Sequence, residues 1–434
     1  MAIRGDESPN PPDTAEYLAV ARANVLSVDF WGAIRAPVYP LLLRGVFFDV
    51  DAAIVVQTAL SIGAWIVLAC VVASCVRGLM RPIAFLVVLG FGASSAVTLW
   101  NRWVLTESVG TSLVALMLAT ALIWSRRHDD RMLVVIAGLA AVFMLLRDSF
   151  VPVGAVAVAL ALLWCLGRRS IPTRPIAIAL VGLAVVVAAT VWSIAAGQRG
   201  DRSMTNVVTL RVLKDDDATQ FFVEHGLPLT RELESFRGRL LIGRSLGDSG
   251  PPPDMKALAR PLRWISERGQ TTYLLYVFSH PDTMVSMLWS DLDEIFESPF
   301  DVYGSLSGVD GWPVWSEALS SLLVPPTAVL AAEVGLAAML SGILVRRRRA
   351  PPAIGVVWCF VAVGLLHAVV AWIGDPFEVS RHSVLANVSV RIGIITILLI
   401  AVDALVADSR GRNVLGRRGR DASSQGSSGR VAGR

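Results

Sequence analysis

Two carboxylates and a handful of arginines are the side chains in this sequence whose placement could do chemistry. Asp13 and Tyr17, in Pro12-Asp13-Thr14-Ala15-Glu16-Tyr17, stand four apart and share one face of any helix that carries them. Arg35-Ala36-Pro37-Val38-Tyr39-Pro40 follows, and then Thr106-Glu107-Ser108 at the edge of an apolar run. Arg147-Asp148 interrupts another apolar run, Arg381-His382 precedes the last one, and Arg391 lies within it. A positioned carboxylate can take a proton from an attacking hydroxyl. Arginine, with its permanent charge and planar fork, suits a phosphate, and inside an apolar segment it faces a polar cavity or an anion.

Local roles compete with each of these. Asp13 and Glu16 have the spacing of a capping box. Arg35 could lay its stem on apolar surface. Thr106 could cap a helix whose positive end Glu107 complements. Arg147 could simply pair with Asp148, and His382 reads as a satisfied residue near a membrane interface rather than a ligand.

The elements that must hold these residues are membrane spans. Of 434 residues, 54% are hydrophobic and 17% charged, with a mean hydropathy of +0.60, far from the ~25% charged residues of a soluble domain. Nine apolar segments approach the ~20 residues that cross a ~30 Å hydrocarbon core: 52–76, 82–99, 107–124, 132–146, 150–166, 175–197, 324–345, 352–373 and 387–407. Arginines cluster at alternate connections: Arg77/Arg81, Arg126/Arg127/Arg131, Arg168/Arg169/Arg174, Arg346–Arg349 and the tail after Arg410. Retention of positive charge inside makes all five cytoplasmic at once, with the first residues outside and the tail inside.

The expected fold is an all-α polytopic membrane protein in five parts. An outer segment, 1–51, carries the acidic motif; 52–197 is a core of about six spans; 198–323 is an extracytoplasmic domain; 324–407 adds about three spans; and 408–434 is a disordered basic cytoplasmic tail. Within the middle domain, helices are expected over Arg263–Phe278 and Asp282–Glu297, the second capped by Asp282. Turns are expected at Asp215–Asp217 and Ser249–Pro253. No signal peptide in 1–51 would carry that segment across a membrane, so either it is translocated as a short tail or, the favoured expectation, a further transmembrane helix lies ahead of residue 1.

Composition also narrows the function. All basic residues but Lys214 and Lys256 are arginine, the usage of a GC-rich bacterial genome, and the net charge of +4 gives no reason to expect a nucleic-acid partner. Cys70, Cys75, Cys165 and Cys359 lie in or beside apolar runs, without a disulfide framework or paired metal-ligand spacing. The sequence contains no HExxH, glycine-rich nucleotide loop or GxSxG, so no motif supports a zincin, a nucleotide-driven pump or a serine hydrolase.

In residues and in their order, the chain resembles the GT-C class of glycosyltransferases. These are polytopic enzymes that take sugars from polyprenyl-phosphate carriers on the outer face of a membrane, and they include protein O-mannosyltransferases and the lipid A aminoarabinose transferase. The likeness covers residues 13–150 well, the Arg381/Arg391 region loosely, and 198–323 only in position. It implies that Asp13 is the acidic residue of the first outer loop and the base for an acceptor hydroxyl, that Tyr17 supports it, and that Glu107 is the acid of the second outer loop. Arg35 stands where the family has a basic residue near the lipid phosphate, with Tyr39 beside it, while Arg147, Arg381 and Arg391 are the further substrate-binding candidates. Many family members have two adjacent acids where this chain has Asp13-Thr14.

The expected partners are membrane lipid and a polyprenyl-phosphate sugar. The sugar–phosphate bond supplies the driving force, so no cofactor is required, and a divalent metal is left open. Two other classes would use the same charges: a transporter with a polar path, and a non-catalytic scaffold of this fold that binds polyprenyl lipid.

Overall fold

Apolar runs rich in Ala, Val and Leu become helices because a backbone in lipid must satisfy its hydrogen bonds within the segment. The computed structural model describes residues 12–168, 174–241, 253–296, 313–377 and 379–425, and among these it is helical without a strand. Six helices are long and apolar enough to cross a membrane: Val50–Cys75, Thr106–Arg127, Arg174–Ala196, Thr327–Arg346, Pro352–Gly374 and Val379–Ala407. Met80–Ala93 and Ser95–Arg102 make a seventh only if their 46° bend is counted within one span. The nine expected spans are therefore six or seven by length among the described residues. Arg131–Leu146 has 16 residues and Val151–Arg168 has 18, because Arg147-Asp148 breaks their common apolar run.

The last helix, Val379–Gln425, differs most from expectation. It begins eight residues before the expected 387, so Arg381 and His382 sit in its first turns and not in a connecting loop. Its helix also runs on through 425 where disorder was expected, consistent with the low cost of extending a helix already nucleated; residues 426–434 lie outside the described set.

This helix is the hub of the bundle, packing against Pro352–Gly374, Thr327–Arg346, Thr106–Arg127 and Met80–Ala93. Two glycines set how closely it approaches. A Cβ on Gly110 would stand 2.8 Å from the Leu385 side chain, and one on Gly364 would stand 2.9 Å from Ser389 Cβ. Gly110 lies one turn from Glu107 and Leu385 one turn from Arg381, so this close packing brings those two residues together.

Among the described residues, the longer segments outside the spans carry short helices as well. Residues 1–51 contain Pro12–Arg22, Val28–Trp31 and Val38–Gly45. In the middle domain, Met255–Trp264 passes through a wide turn at Ile265–Gly269 into Gln270–Ser279, so this helical stretch starts earlier than expected. Pro281–Ser290 begins at His280, without a side-chain cap from Asp282, and breaks at Asp291 before Leu292–Phe296. Asp215 caps Asp216–Glu224 by accepting from the Ala218 N–H, so the triple aspartate is a helix start. The expected Ser249–Pro253 turn lies outside the described residues apart from Pro253.

Candidate functional site

Three distant parts of the chain meet at one end of the bundle. Asp13 comes from the first turn of Pro12–Arg22, Glu107 from the first turn of Thr106–Arg127, and Arg381 from the start of the last helix. Arg381 Nη2 donates to Asp13 Oδ2 at 2.6 Å, and its Nε donates to Glu107 Oε1 at 2.8 Å. The two carboxylates are thus separated by the width of one guanidinium.

Each carboxylate has further partners. Asp13 Oδ1 accepts from Arg35 Nη2. Arg35 Nε donates to Glu16 at 2.8 Å, and Arg202 Nη1 reaches the other oxygen of Glu16 at 3.2 Å. Glu107 Oε1 also accepts from Arg147 Nη1 at 3.1 Å, while its Oε2 accepts from the Thr106 hydroxyl at 3.2 Å. Of the local roles considered above, Glu107 keeps its place in the first turn of its helix and His382 is satisfied by Arg147, whereas three others are replaced. Asp13 and Glu16 bind guanidinium groups, Thr106 does not cap its helix, and Arg147 and Asp148 take separate partners, Asp148 accepting from Arg199 Nη2 at 3.2 Å.

Packing supports this charge network from behind. The Arg35 guanidinium carbon lies 5.1 Å from the Tyr17 ring centroid, and Tyr17 packs on Tyr39 with centroids 5.0 Å apart. Tyr39 is fully buried and donates to Gln57 Oε1 at 2.7 Å. Gln57 Nε2 in turn donates to the carbonyls of Asn101 and Trp103 at 3.0 and 2.7 Å. This one amide ties Val38–Gly45, Val50–Cys75 and the turn before Thr106 together, and so fixes where Glu107 starts its helix. Ser108 adds a 2.6 Å bond to Asn101 Oδ1.

Electrostatics keep Asp13 ionised. Burial pushes its carboxyl up, but Arg381 and Arg35 together outweigh that and leave it below the ordinary carboxylate value. The Tyr17 and Tyr39 phenols are raised, chiefly by burial, and stay neutral. Access differs between the two acids: the Asp13 side chain is 17% exposed and that of Glu107 only 1%.

Asp13, Tyr17, Arg35, Glu107, Arg147 and Arg381 are therefore brought together, with Tyr39 behind them. Arg391 is not. It lies ten positions further along the helix, ~15 Å by helical rise, and donates to Asn387 Oδ1 at 2.5 Å and to the Pro325 and Phe296 carbonyls at 2.6 Å each. Its donors face fixed protein acceptors, which removes it from the phosphate-binding candidates.

Sequence reasoning missed Arg199, Arg202, Gln57 and the Asp375–His382 contact. A signal existed for the first two, since arginines directly after Arg174–Ala196 lie at the end where the arginine alternation leaves few basic residues. Gln57, a lone amide within an apolar run, was another. No group of His, Cys, Asp and Glu side chains among the described residues is arranged to hold a metal ion. Comparison with protein-family models, with curated proteins and with solved structures returns no match.

Proposed function

We propose that the chain transfers a sugar from a polyprenyl-phosphate donor to an acceptor hydroxyl, with Asp13 as the base. One observation carries this reading: Asp13, a partly accessible carboxylate, shares the guanidinium of Arg381 with the enclosed Glu107, at one end of an apolar bundle. Arginines paired to carboxylates can exchange them for phosphate, whose geometry suits the same fork. Glu107 has no room for an acceptor, and its place is to hold Arg147 and Arg381.

The chemistry follows from these positions. In the resting site Arg35 and Arg381 weaken Asp13 as a base. A donor phosphate that draws off part of their charge raises its proton affinity, so donor binding primes the base. The acceptor oxygen then attacks the anomeric carbon while its proton passes to Asp13. The bond from that carbon to the phosphate oxygen breaks, and its electron pair leaves with the phosphate. Charge develops on the leaving group where Arg35 and Arg381 stand, the placement that stabilises a transition state. A single displacement inverts the anomeric carbon.

The arginine clusters support a bacterial plasma membrane with this site on the extracytoplasmic side. Arg126 contacts Ser74, and the Arg77 N–H meets Asp403, at the end of the bundle away from Asp13. Impermeant thiol labelling checks the orientation. A cysteine at exposed Glu224 should react from outside the cell and one at exposed Asp129 should not; the reverse pattern overturns the orientation.

The test of function uses purified protein with labelled polyprenyl-phosphate sugars and a panel of acceptors. Acceptor-dependent release of free polyprenyl phosphate is expected, and Asp13→Asn should lower its rate about 10²–10⁴-fold while leaving expression intact. Retention of the donor without release would make the protein a scaffold. Passage of unaltered donor across vesicles, insensitive to Asp13→Asn, would make it a transporter.

A further inference from the structure

Arg147 Nη2 lies 2.7 Å from His382 Nδ1. A guanidinium can only donate, so Nδ1 must offer its lone pair and a neutral ring must carry its proton on Nε2. Nε2 in turn faces Asp375 Oδ2 at 3.6 Å, at the end of Pro352–Gly374. The other terminal nitrogen of Arg147 is the one on Glu107. A chain therefore runs Asp375–His382–Arg147–Glu107 and joins the ends of three spans to the break between two short helices.

Arg147 needs such a support. It sits at φ −150 and ψ 120, in extended backbone between Arg131–Leu146 and the turn at Asp148–Phe150, so no helix face fixes its side chain. The charged groups around His382 are Arg147, Arg381, Glu107, Asp13 and Asp375. A proton on Nδ1 would turn the acceptor into a donor aimed at a guanidinium, and Arg147 would lose one of its two anchors.

We propose that His382 is a positioning residue: a neutral imidazole held as the Nε2–H tautomer, which keeps Arg147 on Glu107 and so fixes where Arg147 presents its charge to an anion. The anion-binding part rests on the function proposed above; the tautomer does not.

Two measurements test it. Nitrogen NMR of histidine-labelled protein at neutral pH should show, among the five histidines, a ring with unprotonated Nδ1 and protonated Nε2 whose signals vanish in His382→Asn. If the vanishing signals are instead those of an Nδ1–H ring or an imidazolium, the proposal is overturned. Farnesyl phosphate in detergent micelles is the binding probe. His382→Asn keeps an acceptor oxygen near the Nδ1 position and should bind within about twofold of wild type, whereas His382→Gln and His382→Leu should bind about tenfold or more weakly, as befits a lost bond to a charged group. Equal affinity for the Asn, Gln and Leu variants overturns the positioning role. If the wild-type protein itself does not bind farnesyl phosphate, the proposed function falls, and the nitrogen spectrum still decides the tautomer.

Discussion

Arg381 and Arg391 lie ten positions apart on one helix, both buried at 6% and 2% exposure, and the fold uses them in opposite ways. Arg381 meets two carboxylates, each of which has a second arginine: Arg35 on Asp13 and Arg147 on Glu107. Arg391 meets two main-chain carbonyls and an amide oxygen, joining the last helix to Phe296 and to Pro325 just before Thr327–Arg346. An ion pair can be exchanged for an incoming anion. Bonds to fixed carbonyls exchange less readily, because a main-chain carbonyl cannot move away to another donor and a buried polar group left unpaired is costly. Buried arginines in a membrane bundle are therefore told apart by what they touch, and burial alone does not distinguish an arginine held in ion pairs from one anchored to main-chain carbonyls.

The largest effect should come from breaking the structural side of this comparison. Arg391→Ala removes the side-chain donor to the Pro325 carbonyl and one of the two donors to the Phe296 carbonyl, which keeps Asn387 Nδ2 at 3.0 Å. Stranding the Pro325 group in a buried site costs about 1–3 kcal/mol, added to the packing lost with the side chain. Thermal unfolding in detergent should register it as a large drop in midpoint, with farnesyl phosphate affinity unchanged in the fraction that folds. A variant as stable as wild type that had lost the ligand would return Arg391 to the site.

Arg381→Ala should do the converse. Asp13 keeps Arg35 and Glu107 keeps Arg147, so neither carboxylate is stranded and the midpoint should fall less than for Arg391→Ala. Farnesyl phosphate affinity should fall about tenfold or more, the scale of a charge-assisted bond. Equal loss of stability in the two variants, with no change in affinity for Arg381→Ala, would erase the distinction.

The smallest expected effect concerns pH. Asp13 has its carboxyl lowered in the folded protein, so its contribution to stability is complete above the unfolded value near ~3.9 and is lost as pH falls through the lower folded value. Wild type and Asp13→Asn should therefore differ in unfolding midpoint at neutral pH, and the gap should close on acidification below about pH 4. A gap that widened with acid would show that the Arg35 and Arg381 pairs do not hold the carboxylate ionised.

Much of the architecture was legible in the sequence. All nine apolar runs are helical, and the described residues of the middle domain are largely helical too, though with shifted ends. The bend at Ser94 and the early start at Val379 were not legible. Hydropathy averages over a window, while Ser380-Arg381-His382-Ser383 is polar enough to hide a helix that packing keeps in place. The acidic motif was found, but its capping-box reading failed because capping is a local preference, worth about 1 kcal/mol. Two guanidinium groups, Arg381 buried and Arg35 half-buried, compete for the same carboxylate and win.

The sequence by itself determined that this chain forms apolar helices and which residues carry charge near their ends. That much is local, since in lipid each segment must close its own hydrogen bonds whatever its neighbours are. Which charges meet was decided only by tertiary structure. Glu107 and Arg381, 274 positions apart, touch because Gly110 lets the last helix close on Thr106–Arg127. Arg391, equally out of place by composition and so an equal candidate for a phosphate, meets the Pro325 and Phe296 carbonyls in the fold. A charge in an apolar segment must find a partner, but the partner comes from another part of the chain, and one-dimensional pattern holds no record of that distance.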